Sequence, residues 1–186
     1  MTTMADSRAR YTFVSVWSGR FIIAAIVQGA VITGLTLAFV AAQLLTSGTN
    51  IIEFLSLSFE GPAKWIFLGY IFYMILIVAI AVSAVFYSHF EVGMGRRIRG
   101  FRSALAWIHL VGMNVGGAAT TIIMIFAGLA GSGALDIVVG GSDTLQENTA
   151  IMDRFIAPIA IFTGVLSIGV ISGGLAYVMS YFKKLP

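Results

Sequence analysis

The placement of charge constrains this chain more than any other feature. Four stretches contain no Asp, Glu, Lys or Arg: residues 21–52, 65–90, 103–135 and 155–182, of 32, 26, 33 and 28 residues. A helix crosses the hydrocarbon core of a bilayer in about 20 apolar residues, so each stretch holds one crossing and none holds two. The runs are continuously apolar. They lack the in–out alternation of a membrane β-barrel, and inside lipid only a helix satisfies its own backbone. The expected fold is all-α: a polytopic membrane protein with a four-transmembrane-helix bundle, the helices lying at about 20–45, 65–90, 104–130 and 155–182.

Composition agrees. Charged residues make up 10% of the 186 residues and hydrophobic ones 59%, with a mean hydropathy of +0.97. A soluble domain carries about 25% charged residues, so a water-facing surface cannot be assembled from this inventory. A soluble enzyme, a nucleic-acid-binding domain and a disordered chain are excluded. The expected organisation is a cytoplasmic tail over 1–19 and a single transmembrane domain over 20–186. The first apolar run is too long for a signal peptide and reads as a retained span. The absence of cysteine excludes disulfides, thiolate metal sites and thiol catalysis.

The basic residues predict orientation. Arg8, Arg10 and Arg20 precede the first span. Arg96, Arg97, Arg99 and Arg102 separate the second from the third, and Lys183 and Lys184 follow the fourth. The opposite side has Lys64 and Arg154 among six acids: Glu53, Glu60, Asp136, Asp143, Glu147 and Asp153. The positive-inside rule then puts both termini in the cytoplasm of a multi-pass protein of the cell membrane. The basic loop over 94–102 suits anionic lipid headgroups better than nucleic acid. On the other side, residues 46–64 and 131–154 are rich in Ser, Gly and acids, and Gly140-Gly141-Ser142-Asp143 reads as a turn.

Lipid gives helices no hydrophobic reason to associate, so small residues must let backbones approach. Gly112 and Gly116 in the third span, and Gly169 and Gly173 in the fourth, are the candidate helix-packing residues. Gly69 is the only glycine in the second span. Trp17, Trp65, Trp107, Tyr11, Tyr87 and Tyr181 lie near span ends, where interfacial anchors are expected.

Charged groups inside a membrane mark function, and the spans contain none. No catalytic residue and no metal site is expected. The remaining polar candidates are Gln28, His89, His109 and Asn114. His89 suits an interfacial imidazole, solvated or paired with Glu91. His109 suits an intramembrane hydrogen bond to a neighbouring carbonyl. The sharper reading makes His109 and His89 haem or quinone contacts. Two histidines form a poor metal shell, since catalytic sites usually have three protein ligands.

One pattern resembles a known family. Ile108-His109-Leu110-Val111-Gly112-Met113-Asn114-Val115-Gly116, followed by Ala127-Gly128-Leu129-Ala130-Gly131, is similar to a late helix of subunit I of haem–copper oxidases. Thr33-Gly34-Leu35-Thr36 resembles that family's ninth helix. Val85-Phe86-Tyr87-Ser88-His89 up to Gly93 resembles the end of its tenth, and Tyr181-Phe182-Lys183-Lys184 its last helix and basic tail. Where the family carries the His-x-His that binds its two haems, this chain has Phe67, Leu68 and Gly69. The resemblance therefore implies a relative of the catalytic subunit's last four helices that has lost its ligands. It implies a non-catalytic integral membrane subunit of a respiratory terminal oxidase, with haem and copper in a partner subunit and lipid as the companion of this one. Its partners would be other integral membrane subunits and the bilayer, with no nucleic acid.

Other classes fit the composition: an accessory subunit of another membrane metalloenzyme such as a copper membrane monooxygenase, a small homo-oligomeric channel or transporter for a neutral solute, and a membrane cytochrome ligated by His89 and His109.

Overall fold

The computed structural model describes residues 15–45, 61–140 and 146–182. The described chain is mostly helical, with no strand among the described residues. Arg8, Arg10, Tyr11, Glu53, Glu60, Asp143, Lys183, Lys184 and most of the expected turn at 140–143 lie outside the described residues.

Four helices are long and apolar enough to cross a membrane: α1 (Val16–Leu45), α2 (Lys64–Gly93), α3 (Phe101–Gly131) and a fourth that extends over Thr149–Tyr181. Between α3 and the last crossing lies a short helix, α4 (Ala134–Gly140). The fourth crossing opens with a 3-10 turn at Thr149–Met152 and continues as α5 (Asp153–Tyr181). Both short elements fall in a connection expected as loop. Each crossing also begins before its charge-free stretch. Arg20 lies inside α1 and Glu91 inside the last turn of α2. A helix keeps its hydrogen-bond ladder past the hydrocarbon boundary, so a charge marks the end of lipid, not the end of helix.

Two helices loosen locally. The last turn of α2 (His89–Gly93) and the middle of α3 (Gly112–Gly117) are π-helical. In α3 the Asn114 side chain donates its Nδ2–H to the Leu110 carbonyl at 2.8 Å. The loosened turn thereby keeps a satisfied carbonyl in a place without water. Gly100 starts α3 at φ +61 and Gly133 starts the α4 connection at φ +76. Both lie in the left-handed region, which glycine enters without steric cost.

The core is built around α3. It packs on α2 along one side and on α5 along another, while α1 lies mainly on α2. Glycine governs both α3 seams. A Cβ on Gly112 would lie 2.5 Å from the Gly169 Cα, and one on Gly116 would lie 2.5 Å from the Leu166 backbone nitrogen. Towards α2, a Cβ on Gly117 would strike the Leu76 side chain and one on Gly128 would strike Ile66. Gly69 of α2 faces the Thr121 carbonyl and Ile125 of α3 at equally short range. Backbone contact of this kind gives the dispersion and Cα–H···O attraction that replaces the hydrophobic effect in lipid.

The contrast among glycines generates a prediction. Gly112→Ala has no room, and overpacking of this kind costs about 1–3 kcal/mol. Gly174 on α5 has open space around its Cα, and Gly174→Ala gains helix propensity. Equilibrium unfolding in mixed detergent is expected to show Gly112→Ala destabilised and Gly174→Ala at or above the parent. Equal stability of the two variants would contradict the backbone seam.

Candidate functional site

At one end of the bundle, four helices bring aromatic side chains together around His109. Trp17 and Phe21 are one turn apart on α1, Tyr87 and Phe90 lie on α2, and Tyr177 lies on α5. Phe21 stacks on Tyr87 with ring centroids 4.9 Å apart and meets the His109 ring at 5.0 Å. Tyr177 lies 5.1 Å from Tyr87 and meets His109 edge-on at 5.8 Å. The Tyr87 hydroxyl and His109 Nδ1 are 3.3 Å apart, in hydrogen-bond reach. His109 is 4% exposed, and Phe21 and Tyr87 are wholly buried.

Gly173 makes room for this imidazole. A Cβ there would approach His109 Nδ1 to 2.5 Å. Of the four glycines expected to pack helices, Gly112 therefore meets Gly169, Gly116 meets Leu166, and Gly173 meets a histidine side chain. The hydrogen-bond partner of His109 is a tyrosine hydroxyl in place of the expected carbonyl. Trp17 and Tyr87, expected as interfacial anchors, are interior residues of this cluster. The rings serve helix packing here, and the Tyr87 hydroxyl finds its partner in His109 within the protein. Trp107 and Tyr181 remain about half exposed, at 47% and 58%.

The two histidines are not brought together. His89 is exposed, packs against Gly93 and Phe90, and lines an open groove of 670 Å³ between α1 and α2. His109 lies outside the groove that His89 lines, and phenol, benzyl and glycine groups press on its ring. Nor do three His, Cys, Asp or Glu converge in a metal-holding group among the described residues. Glu91, weighed as a partner for His89, instead takes the Ser15 hydroxyl at 2.5 Å and the Trp17 backbone N–H at 3.1 Å. The Ser15 hydroxyl in turn accepts the Ser18 N–H at 3.1 Å. Serine and glutamate together cap the orphan donors at the start of α1.

The same end is closed by arginine. Arg96 donates to the Ser180 and Tyr181 carbonyls at the end of α5, where a cation suits the helix dipole. Arg20 lies over the Trp17 and Trp107 rings at 4.5 and 4.6 Å, in cation–π contact. The start of α1, the α2–α3 connection and the end of α5 thus meet at a single basic end of the bundle.

A second polar cluster lies deeper. Gln28 of α1 donates to the Asn114 side-chain oxygen at 3.0 Å, and the Tyr73 hydroxyl of α2 donates to the Gln28 carbonyl oxygen. Asn114 spends its own amide on Leu110. Three helices are tied by one connected set. Nearby, the Thr36 and Tyr70 hydroxyls are 2.8 Å apart and tie α1 to α2 again. Gln28 and Asn114 stand out in the sequence as amides in apolar runs. Tyr73 does not, since a tyrosine in an aromatic-rich span announces no partner. Chemically, the pairs that form in both clusters join uncharged side chains: Tyr87 with His109, Gln28 with Asn114, and Tyr73 with Gln28. They hold helices in register and offer no acid–base pair.

The chain matches no family model, no curated protein and no solved structure.

Two measurements follow from this geometry. Interhelical hydrogen bonds in membranes average about 0.6 kcal/mol and reach about 1.7 kcal/mol. A double-mutant cycle on Gln28→Leu and Asn114→Leu is expected to give a coupling energy in that range, whereas purely additive losses would show that the amide pair is not formed. The purified chain is expected to lack a Soret band, because the His109 ring is 4% exposed and packed by Phe21, Tyr177 and Gly173. A Soret band lost in His109→Ala would refute that packing.

Proposed function

We propose that this chain is a non-catalytic integral membrane subunit of a respiratory terminal oxidase of the haem–copper type. In this reading it packs against the catalytic subunit and stabilises it, with both termini on the cytoplasmic side of the cell membrane. The observation that carries the reading is the state of the flanking helices. The most apolar 18-residue windows of α1 and of the last crossing are only 11% buried, against 50% for α3. Both helices also turn glycines outward: Gly29 and Gly34 on α1, and Gly164 and Gly174 on α5, have nothing near the position a Cβ would take. Glycine inside a membrane helix costs helix propensity, and a notch of this kind is repaid when another helix enters it.

The nature of the partner rests on the sequence resemblance of 108–116 and 127–131 to the late helices of oxidase subunit I. Haem and copper belong to that partner, since this chain has Phe67, Leu68 and Gly69 where the haem-binding histidines would stand. Within α3, the resembling segment is occupied with packing. Gly112 and Gly116 touch α5, Asn114 joins Gln28, and His109 joins Tyr87.

Purification of the native assembly through a tag on this chain tests the proposal. A haem-containing oxidase subunit is expected to co-purify. Gly174→Leu and Gly34→Leu are expected to lower the haem recovered per chain by about tenfold, equivalent to about 1.4 kcal/mol of lost helix contact, while leaving the stability of the isolated chain unchanged. A stable particle that contains no redox-active subunit would sink the reading. One made only of copies of this chain would indicate the homo-oligomeric channel instead.

A further inference from the structure

The basic end of the bundle holds a cavity of 460 Å³ between the start of α1 and the α2–α3 connection. Three arginines line it: Arg20 from α1, and Arg97 and Arg99 from the connection, with Ser103 of α3 at its wall. Among the described residues, the acid at this cavity is Glu91, which directs its carboxylate to the Ser15 hydroxyl and the Trp17 N–H. Three guanidinium groups therefore line a space in which the Glu91 carboxylate caps a helix. Arg20 is held in place by Trp17 and Trp107, at 4.5 and 4.6 Å from their ring centres. Holding it there lowers the entropy it loses on meeting a ligand. Guanidinium groups match the paired oxygens of a phosphate.

The surface beside the cavity indicates the source of that phosphate. Along α1, Val16, Arg20, Ile23 and Val27 follow one another at three- and four-residue spacing on a single face. The three apolar members are 58%, 65% and 52% exposed. On α3, Trp107 and Val111 lie one and two turns from Ser103 and are 47% and 50% exposed. A cationic cup thus stands at the head of two apolar, membrane-length helix faces. A free inorganic anion would use the cup and leave those faces bare, whereas a phospholipid uses both.

We propose that this cavity binds the phosphodiester headgroup of an anionic phospholipid, with the acyl chains lying along the exposed faces of α1 and α3. The site requires only that the chain sit in a bilayer, and it holds for whichever complex the chain joins. Arg20, Arg97 and Arg99 bind the phosphate, and the tryptophan pair presents Arg20 to it. Near an anionic membrane surface, each basic residue strengthens attraction by about fivefold.

The test uses the full chain reconstituted in phosphatidylcholine bilayers. Either phosphatidylglycerol or phosphatidylcholine carries brominated acyl chains, and tryptophan fluorescence reports contact. Brominated phosphatidylglycerol is expected to quench at a several-fold lower mole fraction than brominated phosphatidylcholine. Arg97→Gln and Arg99→Gln should each reduce that preference, and together abolish it. Arg154→Gln, at the far end of the bundle, should leave it unchanged. In the parent protein the preference should fall as salt is raised, a readout that needs no variant. Equal quenching by the two lipids in the parent protein would overturn the proposal. So would a preference that survives in the double variant, or one that millimolar inorganic phosphate removes, since the last would mark a site for a small soluble anion.

Discussion

Lipid supplies no hydrophobic force between helices, so this bundle depends on how closely α3 lets its neighbours approach. Along the α5 seam the backbones touch where Gly112 meets Gly169 and Gly116 meets Leu166. Along the α2 seam the contact is asymmetric, with glycine of one helix receiving a branched side chain of the other: Gly117 takes Leu76, Gly128 takes Ile66, and Gly69 takes Ile125. The first arrangement gains from proximity, the second from interlocking. Together they make α3 the most enclosed crossing and leave α1 and α5 as flanks.

Polar groups add specificity to this apolar framework. Backbone seams of small residues tolerate sliding, because successive turns look alike. The Gln28–Asn114–Tyr73 set does not, since a shift by one turn would leave amide groups unpaired in hydrocarbon, where each costs several kcal/mol. The His109–Tyr87 contact and the rings around it set the same register nearer the basic end. At that end the connections themselves carry the caps: Glu91 serves α1, and Arg96 serves α5. Helix ends are thus satisfied by residues distant in sequence, which links folding of the termini to assembly of the whole.

Much of this architecture was legible in the sequence for a simple reason. Hydrocarbon excludes charge, so the gaps between charges outline the crossings. The ends were less legible, because Arg20 and Glu91 lie within helices whose ladders continue into the interface. Glycines four apart are visible as candidates for close packing, yet spacing cannot say that Gly173 accommodates an imidazole while Gly112 accommodates a glycine. Pairing is a property of two helices, and a sequence presents one at a time. The burial of Trp17 and Tyr87 was hidden for a related reason. Aromatic residues near span ends read as interfacial, and only the convergence of four helices shows them enclosed. The caps by Glu91 and Arg96 left no local signal, since donor and acceptor are more than 70 residues apart in each case.

The loosened turn of α3 has a geometric consequence. Each residue of an α-helix advances the face by about 100°. Deleting one residue between Gly112 and Gly117, so that the turn closed to ordinary α geometry, would rotate everything before it by about that angle relative to everything after it. Gly112 would swing away from Gly169 and His109 away from Gly173, while Gly128 stayed on Ile66. The wide turn therefore acts as a phase correction between two halves of one rod. It lets the first half mesh with α5 and the second with α2, although no single helical period would align both.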